Sequence, residues 1–214
     1  MNSQTRREIR FGLIALALSG LLLTLNVVLR GPIDLADPQA LIRAATSPNW
    51  LPAWTIALVG VVLHLYGVFG LYRYLTYQVD NLIAFVAFVL RIAAFALSVP
   101  LVTFFVVNLP VIADLYQQGN QGVTAVVEAN FTSGLGLVLL GVSAVAGIPG
   151  SILFGIAIWR DGRLPKWTGV VYALSILAGV PKTFLELLGV MFLLISAGVI
   201  AWKGWQESAA EAGQ

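Results

Sequence analysis

The sequence predicts an all-α, polytopic transmembrane bundle of six spans, and three observations carry that reading. Composition is 59% hydrophobic and only 10% charged, against about 45–50% apolar and about 25% charged in soluble domains. Apolar runs of about 20 residues, the length that crosses a hydrocarbon core of about 30 Å, recur with short polar joints between them. The basic residues gather at the ends of those runs rather than along them. Lipid is therefore the main solvent, and the 214 residues leave room for a single transmembrane domain over 1–214 and no separate soluble one.

The spans are expected at residues 11–29, 51–72, 81–108, 133–159, 167–180 and 182–203. Arg6, Arg7 and Arg10 precede the first run, which is longer than a signal-peptide core and has no small-x-small cleavage site after it, so it reads as a retained span. Asp37 and Pro38 supply an N-cap and an N1 proline for a short surface helix, 38–45, in the first outer loop. Trp50 and Trp54 at one end of span two, and Tyr72, Tyr74 and Tyr77 at the other, form the two interfacial belts. Pro100 predicts a kink near the far end of span three. Residues 111–130 form a polar excursion expected to hold two short surface helices. Span five has only about 21 Å of helix at 1.5 Å per residue, and a break near Pro181 must separate it from span six.

Orientation follows from lysine and arginine. One side collects Arg6, Arg7, Arg10, Arg73, Arg160, Arg163, Lys166 and Lys203, and the other Arg30, Arg43 and Lys182. By the positive-inside rule both termini are expected in the cytoplasm, with the chain in the inner membrane. Arg160, Arg163 and Lys166 act as topology anchors in this reading. The net charge of +2 thus belongs to membrane orientation and not to a nucleic-acid partner.

Ionisable residues at membrane depth are costly and are functional candidates by default. His64 and Arg91 lie at similar depth on consecutive antiparallel spans. Each sits in a stripe of small residues: Ala57, Gly60 and Gly67 with His64; Ala84, Ala87, Ala94 and Ser98 with Arg91. Such stripes mark helix contacts in bilayers, so spans two and three are expected to pair closely across them. His64 fits a packed helix contact, proton or ligand handling, or axial ligation of a tetrapyrrole; with one histidine, bis-histidine ligation within the chain is excluded. Arg91 fits a tether to carbonyls or recognition of an anionic or carbonyl group. Glu186 lies about 9 Å further out than Arg91, too far for a simple pair. Lys182, one turn away, is its nearer partner, with Asn26 a second neighbour. Ser143, Gly147, Ser151 and Gly155 form a small-xxx-small row that packs within the chain or against a partner.

No catalytic constellation, metal-ligand pair at helical spacing or phosphate loop occurs, and cysteine is absent. The sequence therefore points first to a non-enzymatic membrane component, an accessory subunit or homo-oligomer in the lipid bilayer. The alternative is a transporter or receptor for a small hydrophobic or anionic ligand near Arg91 and His64.

The most motif-like stretch is Ile156-x-Ile158-Trp159-Arg160-x-Gly162-Arg163-Leu164-Pro165-x-Trp167-x-Gly169. It resembles the fourth-to-fifth-span connection of a bacterial family of six-span membrane proteins of unknown function. The resemblance extends to the six-span layout and an acidic residue early in the last span, here Glu186. It implies an architecture and no chemistry.

Overall fold

The computed structural model describes residues 3–132, 134–179 and 183–210. All regular structure in these residues is helical. The helices are α1 (Ser3–Arg30), α2 (Pro38–Ala45), α3 (Trp50–Thr76), α4 (Leu82–Thr103), α5 (Leu109–Gln117), α6 (Val123–Thr132), α7 (Leu135–Asp161), α8 (Lys166–Leu174) and α9 (Thr183–Ala210). A π-helical turn, Phe104–Asn108, joins α4 to α5, and a 3₁₀ segment, Ser175–Gly179, extends α8.

Local chemistry accounts for the ends. Asp37 accepts from the Ala40 N–H and Asn81 from the Ala84 N–H, each capping a helix start with an otherwise orphaned donor satisfied. Gly162, at φ 78°, ends α7 in the left-handed conformation that glycine adopts without Cβ strain. Pro100 does not end α4. The irregularity falls one turn later, in the π turn, where the Trp50 indole N–H donates to the Phe105 carbonyl at 2.9 Å. Satisfying that carbonyl inside the protein is what membrane depth requires of a disturbed helix.

Five helical stretches are long and apolar enough to cross a bilayer: Ser3–Arg30, Trp50–Thr76, Leu82–Gln117, Val123–Asp161 and Phe184–Glu207. The expected fifth span does not qualify, because nine α-helical residues and a five-residue 3₁₀ segment replace it. Pro181 lies outside the described residues.

Six helices form a ring in which each touches the next: α1, α3, α4, α7, α8 and α9, the last returning to α1. At one end the basic loop after α7 meets the end of α3, which in turn contacts the start of α1 and the end of α9. There Arg163 donates to the Tyr74 carbonyl and lies over the Tyr74 and Tyr77 rings, the Tyr74 hydroxyl donates to Glu207, and Arg73 pairs with Glu8. Arg163 is thus a half-buried tether, whereas Arg160 and Lys166 are exposed. Burial alone would lower its pKa, but the hydrogen bond and charge of Asp161 more than offset this and raise it above the ordinary arginine value. At the other end α2, α5 and α6 collect around Trp50, Trp54, Phe105 and Phe131 in a second apolar cluster.

His64 and Arg91, one from each small-residue stripe, do meet, but the small residues beside them make their closest backbone approaches to other helices and not to each other. The α3 stripe turns to α1: a Cβ on Gly67 would lie 2.6 Å from the Leu16 Cα, and one on Gly70 2.5 Å from the Gly12 Cα. The α4 stripe turns to α7, where Gly150 meets the Arg91 side chain and Gly147 meets Ala94. The reason is volume: α3 and α4 are spaced by Phe88 stacked on Tyr72 and Phe95 stacked on His64, so backbones come closest elsewhere. Replacing Gly67 by valine should therefore lower stability by about 1–3 kcal/mol or more through overpacking. Gly141→Ala, with open space at its Cβ, should stay within about 0.5 kcal/mol; thermal unfolding in detergent measures both.

Candidate functional site

His64 and Arg91 meet at the centre of the ring. Arg91, at 7% exposure, donates from Nη2 to His64 Nε2 at 2.9 Å and from Nη1 to Ser151 Oγ at 2.8 Å. One guanidinium so joins α4 to α3 and α7. Phe95 lies 4.7 Å from the guanidinium carbon and 3.9 Å from the imidazole centroid, a face that stabilises the cation.

The direction of the hydrogen bonds fixes the imidazole. Arginine only donates, so His64 Nε2 accepts and its proton is on Nδ1. Nδ1–H then donates to Ser19 Oγ at 3.2 Å, and the serine hydroxyl donates to the Leu16 carbonyl at 2.7 Å. Both ring nitrogens are engaged. A tetrapyrrole iron could take His64 only by displacing Arg91 from its acceptor.

Arg91 forms no ion pair among the described residues, and its Nε–H has no hydrogen-bond partner there. The Tyr172 hydroxyl is close enough to interact with the guanidinium electrostatically but also lacks a well-formed partner. A buried arginine surrounded by neutral groups keeps most of its desolvation cost, about 2.5–3.5 kcal/mol at mid-membrane on insertion scales.

Arg91 lines one end of a cavity of about 460 Å³ between the helices of the ring, open on the side where exposed Ala144, Ile148 and Gly179 line it, and within the range of about 300–1,000 Å³ typical of small-molecule sites. Along α4 the lining runs from Arg91 through Ser98 to Val102, eleven helical steps or about 16 Å. The walls are mainly apolar, including Leu23, Val61, Leu140 and Val190. Ser175, on the 3₁₀ segment, also lines the cavity; it is 5% exposed and its hydroxyl has no partner.

The outer end of the cavity holds Asn26, Trp54 and Glu186. Glu186 pairs with Arg30, whose side chain is 1% exposed against 17% for the glutamate. Arg30 Nε donates to Asn26 Oδ1 at 3.3 Å, Asn26 Nδ2 donates to the Ala53 carbonyl at 3.1 Å, and the guanidinium lies over the Trp54 ring. The network ties α9 to α1 and α3. Sequence spacing found Asn26 as a neighbour but assigned Arg30 only to the loop charge count; Lys182, the expected partner, lies outside the described residues. The i to i+4 spacing of Asn26 and Arg30 was the available signal.

The small row on α7 is used inside the chain. Ser143 donates to the Ala94 carbonyl at 2.7 Å, Gly147 faces Ala94, Ser151 accepts from Arg91, and Gly155 crosses Gly169 on α8. No family model matches the chain, and neither a curated protein nor a solved structure does. The resemblance of the loop around Gly162 therefore stands on its own residues.

Two mutational outcomes follow from the networks. His64→Leu should destabilise by about 1–3 kcal/mol because it strands the Arg91 donor; Ser19→Ala, one bond further along, should cost less. Glu186→Gln alone should cost about 3–5 kcal/mol by leaving Arg30 buried and unpaired, and the double change Arg30→Met with Glu186→Met should cost less than that single change. Denaturation midpoints of the four variants check both.

Proposed function

We propose that this chain binds a small, mainly apolar molecule carrying one anionic or carbonyl oxygen group, with Arg91 as the recognising cation, and acts as a transporter or receptor for it. The observation that carries this reading is an arginine buried at the end of an apolar cavity with no carboxylate beside it. An uncompensated cation in such surroundings attracts a negative oxygen more strongly than it would in water, because little solvent competes. His64 and Ser151 hold the guanidinium in position, and the Glu186–Arg30 pair frames the outer end.

The accessory-subunit or oligomer reading drew its support from the small row on α7. That row is spent on α4 and α8, so the cavity is the better-supported basis for a function. Native mass in gentle detergent remains its test, and a stable multimer would restore it.

In the membrane we place the basic end in the cytoplasm, with both termini there. The support is the convergence of Arg6, Arg7, Arg10, Arg73, Arg160, Arg163, Lys166 and Lys203 on one end of the bundle. The segment from α8 through the 3₁₀ turn serves as the sixth, shortened pass, and α2, α5 and α6 lie as surface helices on the outer side. An inner-membrane location accords with this charge pattern. Replacing Arg160, Arg163 and Lys166 together should reduce yield or scramble orientation, read by cysteine accessibility at introduced terminal sites; unchanged orientation would remove the loop from the topology argument.

The binding reading is tested by the small-molecule content of purified protein. Wild type, extracted with organic solvent and analysed by mass spectrometry, should release an apolar acid or carbonyl compound that Arg91→Leu lacks. Val62→Leu, on the exposed face of α3, is the folded control and should retain it. Identical content in wild type and Arg91→Leu would sink the proposal.

A further inference from the structure

The chemistry at the inner end of the cavity narrows the ligand class, an inference that rests on the ligand-binding reading above. Besides the Tyr172 hydroxyl, which stands next to the guanidinium but does not line the cavity, two polar side chains there lack partners. The Arg91 Nε–H is buried and unpaired, and so is the Ser175 hydroxyl. Their levels coincide. Gly155 on α7 contacts Gly169 and Ala173 on antiparallel α8; one turn further out along α7 is Ser151, which holds Arg91, and the corresponding step along α8 reaches Ser175. Native proteins rarely leave buried donors empty, and a pair of them at one place in a cavity indicates a group that is bound there.

Charge and shape restrict that group further. Glu186 is neutralised by Arg30, so among the described residues lining the cavity Arg91 is the uncompensated charge. A single positive charge matches a single negative one, and a planar guanidinium with an adjacent hydroxyl matches the two oxygens of a carboxylate. A dianionic phosphate would leave a surplus charge in an apolar chamber, at high cost. Beyond this end the walls are mainly apolar, with Ser98 and Ser143 among them, for about 16 Å, up to Trp54 and Val102. An inorganic anion would leave that volume empty, whereas an acyl chain fills it.

We propose that Arg91 and Ser175 together seat the carboxylate of a straight-chain, apolar monocarboxylate whose tail extends along α4 toward Trp54. Arg91 supplies the charge, Ser175 donates to the second oxygen, and His64 with Ser151 orients the guanidinium from behind. No bond is made or broken.

The test uses the full chain in lipid nanodiscs with radiolabelled dodecanoate, empty nanodiscs being subtracted. Wild type should bind saturably. Ser175→Ala should weaken binding about tenfold, the value of a hydrogen bond to a charged group, with no loss of thermal stability, since the free protein gives that hydroxyl no partner. Arg91→Gln should weaken it more. If dodecanol competes as well as unlabelled dodecanoate, or chloride displaces the label at comparable concentration, the carboxylate assignment is overturned while a cavity ligand of another class stands. If dodecanoate does not bind and wild type also releases no Arg91-dependent molecule on extraction, both readings fall. Full-affinity binding by Ser175→Ala would remove the serine from the seat and overturn the inference as stated.

Discussion

A guanidinium that bonds only to neutral groups in the middle of a membrane bundle sets the terms for everything around it. Arg91 must reach acceptors on other helices because its own α4 backbone carbonyls are committed to the helix. It finds His64 on α3 and Ser151 on α7, and those two helices are thereby held at fixed distances from α4. The cavity is a by-product of the same geometry. Bulky Phe95 beside the cation and small Ala94, Gly147 and Ser143 beyond it leave a gap that no side chain of the ring fills.

The ring is assembled from unequal joints. Where glycine meets glycine or a backbone, as between α1 and α3 or between α7 and α8, the helices touch at their main chains and cannot slide without clash. Where α3 meets α4 the contact runs through aromatic rings and one polar bridge. The Arg30–Glu186 pair and the Arg163 tether close the two ends. Both use charge inside the protein, where pairing is costly to form and costlier still to break on one side. They hold register more than they add stability.

Much of this was legible from residues alone. Composition and run length identified the long helices, Asp37 marked a helix start, and counting residues from the span ends placed His64 and Arg91 at one depth. Such inferences need only the helix rise and the solvent. What failed was the choice of partner. A stripe of small residues states that a backbone approaches closely but not which one, so the α3 and α4 stripes were matched to each other when each belongs to a third helix. Glu186 shows the same limit: spacing along its own helix pointed to Lys182, while Arg30 is distant in sequence and adjacent only once α1 and α9 pack. The unpaired Ser175 hydroxyl had no sequence signal, since a serine in an apolar helix normally bonds back to its own backbone.

The hydrogen-bond chain through His64 has a polarity that bears on whether it can conduct protons. Arg91 donates to the imidazole, the imidazole to Ser19, and Ser19 to the Leu16 carbonyl. A proton wire needs an acceptor at its far end that can take the charge, and a helix carbonyl already serving its own backbone cannot. A proton entering at His64 would also have to arrive at Nε2, where the guanidinium stands. As built, the chain is a brace with a dead end, and it leaves Arg91 to act as a fixed positive charge rather than as one station in a relay.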